Sequence, residues 1–139
     1  MVFLVTKAFL PLLYKSAAPR FVNLSSGLGS LTNTSFPPAE GHDVNALAYN
    51  SSKTALNALT VQFANELRPK GIKVNLADPG YTATDMTNHL GANSPEEAAR
   101  TAVRLALLGE DDQRVGTSAQ MARRRGDIMR SRSTAESLR

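Results

Sequence analysis

The sequence contains no cysteine, which excludes a disulfide framework and any thiolate metal site. That fits a reducing compartment, and a cytoplasmic setting is expected. No apolar run approaches the roughly 20 residues that a membrane span requires. The opening apolar stretch, residues 1–10, lacks a basic leader and is interrupted by Lys7, so it reads as an amphipathic helix and not as a signal peptide. There are no internal repeats. Charge of one sign is absent from most of the chain: residues 1–113 hold 9 Lys+Arg against 10 Asp+Glu, whereas residues 114–139 hold 7 Arg and 2 acids. The formal charge of +4 therefore belongs to the tail.

What is present suffices for one domain with a core: 139 residues, 42% hydrophobic and 20% charged, are globular values. Residues 2–15 read as a helix that Pro11 should kink or divide. Residues 20–24 form a short strand with β-branched and aromatic character. A flexible turn follows over 25–30, then an irregular segment over 31–45 with Pro37, Pro38, Gly41 and His42. The longest helical pattern covers 46–68. Its apolar residues, Ala48, Ala55, Leu56, Leu59, Val61, Phe63, Ala64 and Leu67, spread over more than one face, as in a helix that is buried or packs on a partner. Pro69, Lys70 and Gly71 stop it, and residues 72–77 form a second strand. The strand–helix–strand spacing is that of a parallel βαβ unit. Residues 79–93 read as a loop. Ser94, Pro95 and Glu97 open another helix with a capping-box pattern, which runs to about Leu108 before Gly109. Residues 110–139 have few apolar positions and no period, and read as a disordered basic tail.

One short stretch carries chemistry. Tyr49 and Lys53 are four residues apart, so a helix presents both on one face. An ammonium beside a phenol favours the phenolate, and such a phenol can exchange a proton with an alcohol or carbonyl oxygen. Such pairs are ordinary on solvated helices, and Tyr49 could equally be a core aromatic. Ser25 and Ser26 close the first strand and are followed by Gly27; they could merely cap a turn. Pro79 and Gly80 close the second strand, ahead of Thr82 and Thr84, and Pro-Gly is a common turn pair. His42 reads as an exposed loop histidine. No metal site is expected.

At these residues the chain resembles the short-chain dehydrogenase/reductase family. The strand-end serine, the Tyr-x-x-x-Lys helix and the Pro-Gly-x-x-x-Thr turn occur in the family's order, and the resemblance runs from about residue 2 to residue 108. It implies an α/β fold: a partial Rossmann-like, doubly wound parallel sheet representing the C-terminal, catalytic half of that domain, over residues 1–109. It implies an NAD(P)(H)-dependent oxidoreductase that moves hydride between coenzyme and a small carbonyl or alcohol substrate. By motif, Ser26 holds the substrate oxygen, with Ser25 as the alternative. Tyr49 transfers the proton, and Lys53 assists Tyr49 and binds the nicotinamide ribose. Pro79, Gly80, Thr82 and Thr84 match the loop beside the nicotinamide. A homo-oligomer formed through the long helices is typical of the family.

The chain also departs from that pattern. The glycine-rich strand-to-helix turn that cradles the pyrophosphate is not in this sequence, nor is the residue that would choose NAD or NADP. Where similar sequences have Asn-Val-Phe, this one has Met1, Val2 and Phe3, so roughly the first three strands are expected to be missing. That would leave one strand edge and much apolar helix surface open. Beyond Val115, back-translation with a two-base shift can yield an Asp-Gly-Pro-Pro-Pro-Trp ending like that of similar sequences, so the tail is expected to be read out of frame. Three readings stand at this point: a reductase represented by its catalytic half, a truncated and inactive remnant, and an anionic-surface binder using Arg123, Arg124 and Arg125. The third lacks interleaved aromatics and any reading motif, so no specific nucleic-acid partner and no membrane partner is expected.

Overall fold

The computed structural model describes residues 1–35 and 46–109. His42, the prolines of the irregular segment and the whole basic tail lie outside the described residues. Among the described residues, four α-helices and two strands follow in the order α1 Val2–Leu13, β1 Arg20–Leu24, α2 Leu31–Thr34, α3 Leu47–Leu67, β2 Lys73–Ala77 and α4 Pro95–Ala106. The strands pair in parallel, with Arg20 opposite Lys73 and Leu24 opposite Ala77. A parallel pair needs a crossover between its strands, and α3 supplies it.

Side chains alternate across a strand, and both faces of this small sheet are covered. Phe21 and Val74, which are register partners, meet Leu10 and Leu13 of α1 and Phe63, Ala64 and Leu67 of α3 in the apolar core. Phe63 lies at its centre, stacked on Phe3 with ring centroids 5.8 Å apart and edge-on to Phe21 at 6.1 Å. On the other face α4 packs against both strands, with Leu105 buried. Arg20 points to the end of α4, where its guanidinium donates to the carbonyls of Ala106 and Leu108. The Ala106 carbonyl is one that a helix leaves unpaired at its C-terminus, and a cation there is favoured.

Local signals set most boundaries. Ser94 caps α4: its hydroxyl accepts from the Glu97 N–H at 3.2 Å, while the Glu97 carboxylate accepts from the Ser94 N–H at 2.9 Å. After α3, a 3₁₀ turn over Arg68–Lys70 leads to Gly71 at φ 70°, a left-handed position that glycine fills without a Cβ penalty.

Three expectations need correction. α1 is not divided at Pro11. The proline lies two residues from the helix end, so the one amide hydrogen bond it removes falls in the last turn, and Tyr14 still donates to the Leu10 carbonyl at 3.0 Å. The turn after β1 is ordered into a 3₁₀ turn, Gly27–Gly29, and the short α2, because Ser26 and Ser30 cap them. Of the two dispositions expected for α3, burial all round does not hold: it buries one stripe, Leu56, Thr60, Phe63, Ala64 and Leu67, while Ala48, Ala55 and Val61 are exposed. α4 closes at Ala106 with Leu107 as its cap, close to the expected end.

Candidate active site

The site is assembled at the C-terminal ends of the two strands, where open α/β sheets bind ligands. The exits of β1 and β2 are tied together: the Ser25 N–H donates to the Ala77 carbonyl at 2.8 Å. A Cβ built on Gly27 would come 3.3 Å from an Asp78 carboxylate oxygen. The serine turn and the Pro79–Gly80 turn therefore lie side by side.

α3 brings the third component. Lys53 and Tyr49 share a face, with the Lys53 Nζ 5.5 Å from the centre of the Tyr49 ring. The ammonium also donates to the Leu24 carbonyl at 2.9 Å, one residue before the serine pair. Tyr49 is 38% exposed.

The two serines have different surroundings. Ser25 is buried, and its hydroxyl donates to the Asn57 side-chain oxygen. Ser26 is only half-buried. Its hydroxyl oxygen accepts from the Leu28 N–H at 3.2 Å, and a hydroxyl that accepts still has its own O–H to donate. The turn-capping role considered for these serines therefore exists at Ser26, and it is compatible with a second role.

The loop after β2 is internally braced. Gly80 sits at φ 71°, and its N–H donates to the Asp78 carboxylate at 3.0 Å. A Cβ on Gly80 would stand 2.6 Å from the Asn93 amide nitrogen, so this position accepts only glycine without rearrangement. Thr82 bridges to Asn93, and the Thr82 hydroxyl donates to the Pro79 and Gly80 carbonyls at 3.4 and 3.3 Å. Thr84 lies farther along, at the start of the 3₁₀ turn Asp85–Thr87. Ser26, Tyr49, Lys53, Pro79 and Gly80 thus belong to the two strand exits and the α3 face beside them, while Thr82 and Thr84 lie on the loop that borders them. Among the described residues no group of three His, Asp or Glu could hold a metal ion.

Two residues that the sequence did not single out, Thr54 and Asn57, tie α3 to the serine turn. Both donate to the Gly29 carbonyl, at 3.1 and 3.0 Å. Asn57 lies four residues past Lys53, so extending the Tyr49–Lys53 stripe by one turn would have found it.

The fold and these turns define the class: an α/β protein with a partial Rossmann-like parallel sheet and a candidate site at its strand ends. Comparison with known proteins then identifies the family. Residues 1–95 match the short chain dehydrogenase family, and the chain belongs to it. It is 33% identical over 116 residues to a 3-oxoacyl-[acyl-carrier-protein] reductase from Synechocystis, an alignment that takes in 84% of this chain and 41% of that protein. The salutaridine reductase structure from Papaver somniferum superposes with a TM-score of 0.68 at 30% identity, over 84% of this chain and 50% of that one. An NADPH-bound carbonyl reductase from chicken fatty liver gives 0.66 at 29% identity, over 83% and 49%. The chain spans about half the length of the curated relatives it matches. No helix among the described residues is long and apolar enough to cross a membrane.

Proposed function

We propose that this chain carries the catalytic, C-terminal half of an NAD(P)(H)-dependent oxidoreductase that acts on a small carbonyl or alcohol, with Ser26, Tyr49 and Lys53 as its catalytic residues. The observation that carries this reading is the position of Lys53. It lies beside Tyr49 on one helix face and is hydrogen-bonded to the carbonyl that precedes the serine pair. Ser25 is the residue less suited to substrate, because it is buried and its hydroxyl is committed to Asn57.

The residues present fit the nicotinamide–ribose end of a coenzyme. An ammonium has three donors and only one is directed to Leu24, which leaves two for ribose hydroxyls. Gly80, exposed and at φ 71°, sets the shape of the Pro79–Gly80 turn beside the Asn93 side chain. Tyr49 and Lys53 would hold the ribose, and Pro79, Gly80, Thr82 and Thr84 the carboxamide side. When bound, the coenzyme supplies or accepts the hydride. In the reduction direction, the Ser26 hydroxyl donates to the carbonyl oxygen and orients it. The Tyr49 phenol then gives its proton to that oxygen as negative charge develops there, and Lys53 stabilises the phenolate left behind. In the oxidation direction the same phenolate takes the alcohol proton.

Two dispositions supported by the sequence remain compatible with this reading. The relatives' printed activities involve carbonyl reduction, which matches the substrate class. An apolar groove between α1 and β1, lined by Val2, Val5, Phe9 and Phe21 among others, with Leu4 and Leu12 exposed beside it, favours association of two copies through the helices, which sedimentation velocity would register as a dimer.

The test is a fluorescence titration of the full chain with NADPH and with NADH, followed by turnover of a panel of aldehydes and ketones. Saturable binding with coenzyme-dependent reduction supports the proposal. No saturable binding of either coenzyme overturns it and returns the chain to the reading of an inactive remnant.

A further inference from the structure

A series of three polar contacts joins α3 to the exit of β1. Asn23 donates through its side-chain nitrogen to the Thr60 hydroxyl at 2.8 Å, and that hydroxyl donates to the Leu56 carbonyl at 2.7 Å. Next, the Ser25 hydroxyl donates to the Asn57 side-chain oxygen. The Lys53 ammonium holds the Leu24 carbonyl at 2.9 Å. Thr60, Asn57 and Lys53, on one stripe of α3, thus meet Asn23, Ser25 and Leu24 respectively. The next side chain on the helix stripe is Tyr49, and the next residue after Ser25 is Ser26.

The turn beyond is clamped as well. The Gly29 carbonyl accepts from both Thr54 and Asn57. The turn approaches the helix so closely that a Cβ on Gly29 would lie 2.8 Å from the Lys53 carbonyl carbon and 2.8 Å from the Lys53 Cβ. Asn57 is the only member of this series that bonds on both sides of Ser26: its oxygen to Ser25, its nitrogen to Gly29.

We propose that Asn57 is a positioning residue that holds Ser26 in register with Tyr49, by gripping the chain at Ser25 and at Gly29. This deepens the oxidoreductase reading and rests on it for its catalytic meaning, but the register itself is a property of the free chain. Thr54 is the auxiliary grip, since it shares the Gly29 carbonyl. Removing Asn57 leaves the Ser25 hydroxyl, in a buried position, without its acceptor, and the turn has to shift to give it another one.

The test uses the full chain labelled with 3-fluorotyrosine, whose resonances from Tyr14, Tyr49 and Tyr81 are assigned by Tyr→Phe variants. Asn57→Ala and the milder Thr54→Val are compared with Phe63→Leu, which loosens the apolar core but touches no member of the series. The expected result is that Asn57→Ala moves the Tyr49 fluorine resonance, Thr54→Val moves it less in the same direction, and the other two tyrosines stay in place. Phe63→Leu lowers the melting temperature and leaves the Tyr49 resonance unmoved. A Tyr49 resonance that Asn57→Ala leaves unmoved, or that follows the melting temperature across all three variants, overturns the proposal. If Asn57→Ala does not fold, Thr54→Val decides by the same criterion. Where the parent chain turns over substrate, Asn57→Ala should lower kcat roughly 100-fold, the cost of a displacement of about 1 Å, with KM for coenzyme little changed. A parent chain without turnover counts against the oxidoreductase reading alone, and the fluorine resonances still decide the register.

Discussion

Lys53 on α3 donates to the carbonyl of Leu24 on β1 at 2.9 Å, so the ammonium is anchored to the strand end that presents the serines. One bond thus links the helix half and the strand half of the site. Replacing Lys53 with Met keeps the alkyl stem and removes the donors. The expected outcome is a loss of coenzyme binding together with a loss of turnover, read by titration and by initial rates. A Lys53→Met variant that binds coenzyme like the parent would remove lysine from the cofactor role.

Tyr49→Phe removes one oxygen from a side chain that is 38% exposed. Changes at exposed positions usually alter stability by no more than about 0.5 kcal/mol. Loss of a positioned general acid costs about 100- to 10,000-fold in rate. The expected result is therefore an unchanged melting curve with turnover reduced by at least that lower factor. Retained turnover would exclude Tyr49 as the proton donor.

Gly29→Ala should be costly for a steric reason. The new Cβ would meet the backbone of Lys53 at 2.8 Å as well as the Asn57 amide nitrogen at 2.9 Å, and helix backbone cannot give way as a flexible side-chain end can. Overpacking of this kind costs about 1–3 kcal/mol, measurable by urea unfolding. Gly71→Ala meets no neighbour and is strained only by its positive φ, so its loss in the same experiment comes from backbone conformation alone.

The cap of α4 predicts a pH dependence. The Ser94 N–H first, and the Ser94 hydroxyl next, hold the Glu97 carboxyl below its usual value of 4.5, with a smaller contribution from Arg100 opposing a slight effect of burial. A carboxylate whose folded pKa is depressed binds protons more weakly in the folded state than in the unfolded state. Its stabilisation is therefore complete above pH 4.5 and is lost as the pH falls through the lower folded value. Glu97→Gln should flatten that part of the stability–pH curve, and Ser94→Ala should cost about 1 kcal/mol at neutral pH. A curve unchanged by Glu97→Gln would show that the cap contributes nothing to acid sensitivity.

Asn75, at the centre of β2, is 1% exposed, and neither polar atom of its side chain has a hydrogen-bond partner among the described residues. A buried, unsatisfied amide costs about 1–3 kcal/mol. Asn75→Leu, of similar size, should accordingly raise the melting temperature. A fall would show that the amide is paired in the folded protein in solution.

Much of this architecture could be read locally. Arg20–Leu24 shows itself as a strand through its β-branched and aromatic residues, and Ser94, Pro95 and Glu97 announce the start of α4 because a cap involves only neighbours three residues apart. Tyr49 and Lys53 share a face by helix period alone. α3 also shows the limit of such reading: its apolar positions suggest several buried faces, yet only the stripe that meets Phe21, Val74 and α1 is covered.

What the sequence by itself determined is therefore the order of elements, their caps and breaks, and the pairing of Tyr49 with Lys53, since each depends on contacts within a turn or two of chain. The tertiary structure alone decided which serine is buried and which is free, that Lys53 would hold the Leu24 carbonyl 29 residues away, and that Asn57 would grip the chain on both sides of Ser26. It also carried the Arg20 guanidinium to the end of α4, 86 residues along the chain. These bonds form because a parallel crossover lays α3 against the exit of β1 and returns α4 to the other face. No periodicity in the chain records which hydrogen-bonding groups that folding brings opposite one another.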